Sequence, residues 1–156
     1  MNDISFQVDD KKFNYHVAAL IVDGNRYLLQ TNPRDNFWSM MGGRAKFNET
    51  SKETLIREIN EELGIVIKKE EATLIHIVEN FFDYDNKKFH EMLFIYRVDC
   101  KNYDIVNQQD FYCLDKDLDT NHWYTFDEVQ ALNVRPQMLK EILLDTDLKH
   151  SFVVDN

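Results

Sequence analysis

The chain has 156 residues, 44% of them hydrophobic, which suits one domain with a filled core. Its formal net charge of −10 repels the phosphates of nucleic acid and of anionic lipid. Neither extended nucleic acid nor a membrane is therefore an expected partner, and a small phosphorylated substrate calls for an intervening cation.

No apolar run approaches the length of a membrane span, and the start, MNDISFQVDDKKF, does not read as a secretory signal. Cys100 and Cys113 form no metal-ligand or redox spacing, so a reduced, cytoplasmic protein is the expectation. No repeat or linker divides residues 1–156, which read as a single domain with its core at about 13–145.

Residues 13–22 (FNYHVAALIV) read as a strand, Asp23-Gly24-Asn25 as a turn and Arg26 to Gln30 as the returning strand. A loop around Pro33 leads to Phe37-Trp38-Ser39-Met40-Met41 and the pair Gly42-Gly43. The clearest helix follows. Thr50 and Glu53 match a capping box, Leu55, Ile56, Ile59 and Leu63 make an apolar stripe, and Gly64 is a natural stop. Strands are expected at Thr73 to Phe82 and Phe89 to Val98, with a polar turn between them, and at His122 to Thr125. Two helices close the chain, near Asp127 to Leu132 and Pro136 to Asp145. This order implies a layered α+β domain rather than a βαβ repeat.

On the first helix Glu58, Glu61 and Glu62 share an arc roughly 100° wide beside the apolar stripe. Like charges so placed cost ~0.2–0.5 kcal/mol per pair, and their position near the negative helix end adds ~0.3–1 kcal/mol. Local stability does not explain the arrangement, whereas a bound divalent cation does. The alternative is a solvated acidic face, with Arg57 pairing to Glu53 and Glu61.

The surrounding residues decide between these. Gly43, Glu49, Arg57, Glu58, Ile59, Glu61, Glu62, Gly64 and Ile65 match every specified position of the pattern G-x5-E-x7-R-E-U-x-E-E-x-G-U, where U is bulky and aliphatic. The segment resembles the Nudix box of MutT-type hydrolases. The order of the flanking strands, Trp38 and the closing Trp123 to Leu132 segment is similar too. The resemblance implies an α/β/α sandwich around a mixed β-sheet. It also implies metal-dependent hydrolysis of a pyrophosphate bond in a nucleoside triphosphate or a substituted nucleoside diphosphate. A nucleotide-binding module without turnover is the alternative, and the intact glutamates argue against it. Three departures stand out: Met41 where proline is common, Lys46 where glutamate is common, and Asn48 in place of glycine before Glu49.

By the same resemblance Glu58, Glu61 and Glu62 hold one or more Mg²⁺ ions, or Mn²⁺ as a substitute, with the Gly43 carbonyl as a further ligand. Arg57 orients Glu49 and a box glutamate, and Glu49 supports the ligands from behind. The general base is open among Glu61, Glu62, Glu79 and Glu91, with Glu91 preferred. Both Glu79 and Glu91 alternate with apolar residues, so both are expected on the buried side of their strands. His16 and His90 read as hydrogen-bonded structural residues. One or two of Phe37, Trp38, Phe81, Phe82 and Tyr84 are expected to stack on a substrate. A homodimer is compatible with the resemblance. The substrate itself stays open: Pro33 and Pro136 are the only prolines, so the proline-marked specificity signatures are missing.

Overall fold

Two long strands, β6 (Ala72–Tyr84) and β7 (Lys87–Asp99), form an antiparallel hairpin closed by Asp85-Asn86. Both turn residues have positive φ, 51° and 61°, as a type I′ turn requires, and Asp and Asn tolerate that region best after glycine. The computed structural model to which these strands belong describes the backbone of residues 3–155 and the side chains of residues 3–148.

The remaining elements, in chain order, are β1 (Ser5–Val8), β2 (Lys11–Asp23), β3 (Arg26–Thr31), β4 (Trp38–Ser39), β5 (Met41–Arg44) and α1 (Ser51–Leu63). After the hairpin come β8 (Asp110–Tyr112), β9 (Thr120–Thr125), α2 (Phe126–Ala131), β10 (Val134–Arg135), α3 (Leu139–Ile142) and β11 (Lys149–Asp155). The strands form one mixed sheet whose main path runs β10-β4-β3-β2-β7-β6-β11. β2 pairs parallel with β7, and β11 pairs parallel with β6.

Apolar side chains leave β2 on both faces. Val17, Ala19 and Ile21 pack with Leu55, Ile59 and Leu63 of α1, while Ala18, Leu20 and Val22 pack with Val129 of α2 and Leu139 and Ile142 of α3. A strand covered on both sides reads as a continuous apolar run, which is why residues 17–22 show no polar alternation. The result is the expected α/β/α sandwich, with a separate core on each face. Burying one such leucine or isoleucine contributes about 1.5–3 kcal/mol.

β2 pairs with β3 only over Ile21 to Asp23, and from Ala19 to His16 it pairs with β5 instead. β3 meanwhile turns to β9 and β4. The sheet therefore splits between Ala18 and Gln30, and the split opens the cavity described below.

Gly42 and Gly43, left without an element by the sequence, lie inside strand β5. Two expectations change. The helix expected from Pro136 to Asp145 shrinks to the single turn of α3, since Leu144 is exposed and Asp145 and Asp147 follow where a helix end disfavours acid. In β6 the register shifts between Leu74 and His76, leaving Ile75 as the extra residue of a bulge. The bulge reverses the alternation, so Val78 and Asn80 turn inward and Glu79 faces solvent.

Candidate functional site

Capping fixes α1. The Glu53 amide donates to Thr50 Oγ1 at 3.2 Å and the Thr50 amide donates to Glu53 Oε2 at 2.8 Å, while Gly64 ends the helix at φ 73°. With that register Glu58 and Glu62, one turn apart, point at the sheet and are buried at 8% and 0% exposure; the Glu61 side chain is 40% exposed. The Glu58 carboxylate lies against Gly43, where an added Cβ would sit 2.2–2.5 Å from it. Glycine at 43 is thus a matter of space. The same holds at Gly42, where a Cβ would meet the Val17 carbonyl oxygen at 2.1 Å.

Arg57 ties the acids together. Nε and Nη2 donate to the two oxygens of Glu49 at 2.7 and 2.9 Å, a fork on a carboxylate. Nη1 donates to Glu58 at 2.7 Å and Glu61 at 3.3 Å, and Nη2 also reaches the Arg44 carbonyl at 3.1 Å. The hydrogen bond from Arg57 holds the Glu49 carboxyl below the usual carboxylate range, and Glu49 in turn raises the guanidinium. Glu49 is further braced by the Lys46 amide at 2.9 Å, across a turn in which Asn48 takes φ 67°. Asparagine carries the left-handed conformation here in place of glycine. Burial pushes the Glu58 carboxyl up, partly offset by Arg57 and reinforced by Glu62.

Glu62 is held from a different quarter. Its Oε1 accepts from Gln30 Nε2 at 3.1 Å, Lys116 Nζ at 3.0 Å and the Cys113 thiol at 3.3 Å. Its Oε2, fully buried, has no hydrogen-bond partner among the described residues. Lys116 also donates to the Gly42 carbonyl at 3.2 Å. Beside it, Asp115 brings a carboxylate oxygen to Glu58 and Glu61, the three ligand atoms lying within 4.8 Å of one another. Glu62, Asp115 and Cys113 form a second such group. Carboxylate oxygens suit Mg²⁺ or Mn²⁺, and the orphaned Glu62 oxygen is what a cation would satisfy; the thiol, pushed up by burial and then by Glu62, stays protonated. The residues therefore fit a hard divalent ion.

A cavity of about 420 Å³ runs from Gly42, Gln30 and Lys116 to a polar and aromatic end, a size within the range of small-ligand sites. Glu91, 8% exposed, stands in its wall and accepts from Asn14 Nδ2 and Asn80 Nδ2, each at 3.4 Å, with His16 Nδ1 3.7 Å away. Asn80 Oδ1 is buried with no partner among the described residues. Phe37, Phe82 and Tyr84 line the same cavity, and the Tyr84 hydroxyl donates to Asp35 at 2.9 Å. Trp38 packs instead on Tyr124, and Phe81 on His90. His16 is thus a cavity residue, whereas His90 lies exposed among aromatic rings.

Gln30, Cys113, Asp115 and Lys116 were not legible as site residues. The segment from 113 to 119 has no periodic pattern, and only its mixture of acid and lysine sets it apart. Cys113, which shows no ligand spacing in the sequence, touches a box glutamate in space.

The NUDIX domain model matches residues 12–144. A relative from Proteus vulgaris named 8-oxo-dGTP diphosphatase is 33% identical over 78 residues, covering 47% of this chain and 68% of its own. Among solved structures, a mutator MutT protein from Bacillus halodurans superposes with a TM-score of 0.69 at 23% identity, covering 90% of this chain and 89% of its own. A MutT NUDIX hydrolase from Burkholderia pseudomallei gives 0.55 at 18% identity, over 85% and 98%. At these identities the structures speak for the fold alone. Among the described residues no helix is long and apolar enough to cross a membrane.

Proposed function

The chain belongs to the NUDIX family and is a pyrophosphohydrolase of that family; from this premise we propose that it cleaves the phosphoanhydride of a nucleoside triphosphate, or of a substituted nucleoside diphosphate, with Mg²⁺ or Mn²⁺. The observation that carries the metal reading is the buried Glu62 oxygen without a partner among the described residues, in a carboxylate cluster that touches the ligand-sized cavity through Gln30 and Lys116 of its lining. Oε1 of Glu62 is paired with Lys116, so the cost falls on Oε2 alone, and a buried acceptor without a partner costs about 1–3 kcal/mol.

Glu58, Glu61, Glu62 and Asp115, with the Gly43 carbonyl, would hold the ion. When bound, the metal neutralises the diphosphate and acidifies a water. Arg57 keeps Glu58 and Glu61 in place by drawing on Glu49, which is the support that metal ligands need. Glu61, Glu62 or Glu91 would take the proton of the attacking water. The 3.4 Å bonds to Glu91 are long, which leaves it accepting capacity. The aromatic end of the cavity would receive the nucleoside, and the name of the Proteus relative makes nucleoside triphosphates the first class to test.

The test is a panel of triphosphates and nucleoside diphosphate derivatives with Mg²⁺ or Mn²⁺, products being separated by anion exchange. Nucleoside monophosphate and pyrophosphate are expected from a triphosphate. No turnover of any compound with either ion overturns the proposal.

A further inference from the structure

Glu91 is buried beside Asn80, its direct cross-strand partner, and both stand in the cavity wall. A buried carboxylate is ordinarily matched by short hydrogen bonds or a close cation. Among the described residues Glu91 has only loose partners: the amides of Asn14 and Asn80 donate to it at 3.4 Å, and His16 Nδ1 stays 3.7 Å away. Because Asn80 turns its amide hydrogens to Glu91, its buried Oδ1 is left with no donor among the described residues. This part of the wall therefore offers acceptors in want of donors. Glu91 alternates along β7 with Leu93 and Ile95, which pack with α2 and α3, so it lies on the face of the sheet opposite α1. It is level with Asn14, four residues along β2 from Ala18, the partner of Gly42. At the rise of a strand that is ~13 Å, about the length of a nucleoside and too far for a general base acting on water held by the α1 glutamates.

We propose that Glu91 and Asn80 select the base of the substrate, accepting from a ring N–H and an adjacent exocyclic NH₂, the donor pair that guanine carries and the other common bases lack. This rests on the reading of the substrate as a nucleotide, and it narrows the groups that take the water's proton to Glu61 and Glu62. A carboxylate only accepts, so its two oxygens suit two donors side by side. Adenine and cytosine set a ring-nitrogen acceptor beside the amine, and uracil and thymine flank one N–H with two carbonyls. Each of them turns an acceptor towards an acceptor. Guanine presents N1–H and its N2 amine with no acceptor between them. Phe82 and Phe89, paired two residues further along the hairpin, stack with ring centroids 4.9 Å apart and continue the cavity wall as an apolar surface. With the phosphates at the Gly42 end, the edge of the base arrives at the level of Glu91.

Calorimetric titration with GMP, IMP and AMP in the presence of Mg²⁺, together with kcat/KM for dGTP, dITP and dATP, tests the assignment. The inosine compounds lack only the exocyclic amine. Wild type is expected to bind GMP about 10–10²-fold more tightly than AMP, with IMP between them, and kcat/KM should follow the same order. Glu91→Gln keeps the shape but offers one acceptor where there were two, so the GMP-to-AMP and dGTP-to-dATP ratios should fall close to unity. Asn80→Ala should lower them by a smaller factor, and melting curves verify that each variant is folded. If Glu91→Gln is folded and loses kcat by the same factor for every nucleotide, with the ratios unchanged, Glu91 is a general base and the proposal is overturned. Wild type that binds GMP no better than AMP overturns it too, and that result stands even if both variants unfold. A preference for GMP without turnover of any triphosphate has a different meaning: it removes the hydrolytic reading and leaves the base assignment in place.

Discussion

Replacing Gly43 by alanine puts a methyl group into space that the Glu58 carboxylate already fills. The new Cβ would lie 2.2 Å from Glu58 Cδ and 2.3 and 2.5 Å from its oxygens, where ordinary contact begins at 3.4 Å. The carboxylate has to retreat by roughly an ångström, in a close-packed setting that resists it. Glu58 is buried and bonded at 2.7 Å to Arg57, so the retreat also strains the fork on Glu49. Overpacking of this kind costs about 1–3 kcal/mol, and a catalytic group misplaced by ~1 Å costs on the order of 10²-fold in rate. At about 2–4 °C per kcal/mol, Gly43→Ala should lower Tm by roughly 2–12 °C and kcat by ~10²-fold. Gly42→Ala is the contrast. Its Cβ would meet the Val17 carbonyl oxygen at 2.1 Å and Ala18 Cα at 2.9 Å, backbone atoms of β2 that have no rotamer to escape into. There the loss should fall mainly on the fold. Thermal denaturation and steady-state kinetics on both variants separate the two effects. Wild-type kcat and Tm in Gly43→Ala would refute the claim that glycine is needed there to seat Glu58.

Glu61→Gln and Glu62→Gln should each lower kcat by at least about 10²-fold with the fold intact, and wild-type turnover in both would dismiss their catalytic assignment. Arg57→Lys keeps the charge but loses the fork on Glu49, so kcat should fall while circular dichroism stays native; full activity in that variant would show that charge alone suffices. The Glu49 carboxyl, held low by Arg57, contributes stability that is complete above its unfolded value, ~4.3, and is lost as pH falls through the lower folded value. The metal-free Tm should accordingly drop on acidification between pH 5 and 3 (about the carboxylate range), and less steeply in Arg57→Met; parallel acid limbs would rule this out. Cys100, pushed up to about 12 by burial, and Cys113, raised by burial beside Glu62, should resist iodoacetamide at neutral pH until denaturant is added.

The parts of the site that were legible lie on one short stretch of chain. Thr50, Glu53 and Gly64 mark the ends of α1 through bonds between near neighbours, and Leu55, Ile59 and Leu63 state which face it buries. The positions of Glu58, Glu61 and Glu62 around that helix follow from its pitch. Arg57 reaching Glu49 was implied by the resemblance alone, since helical spacing pointed to Glu53 and Glu61, and the turn before the helix is what brings Glu49 into reach.

The alternation rule succeeded for Glu91 and failed for Glu79, although both rest on the same reasoning. One extra residue at Ile75 reverses every side chain after it, and nothing local in residues 73–79 announces a bulge.

What the amino-acid order determined by itself is the helix with its acids, the glycines beneath it and the alternating layers, since each arises from periodicity or from contacts within a few residues. The meeting of Glu62 with Gln30, Cys113 and Lys116, and of Glu91 with Asn14 and Asn80, was decided only by the folded sheet. Those partners are remote along the chain, and only the closing of both cores around β2 brings them within a hydrogen bond's length.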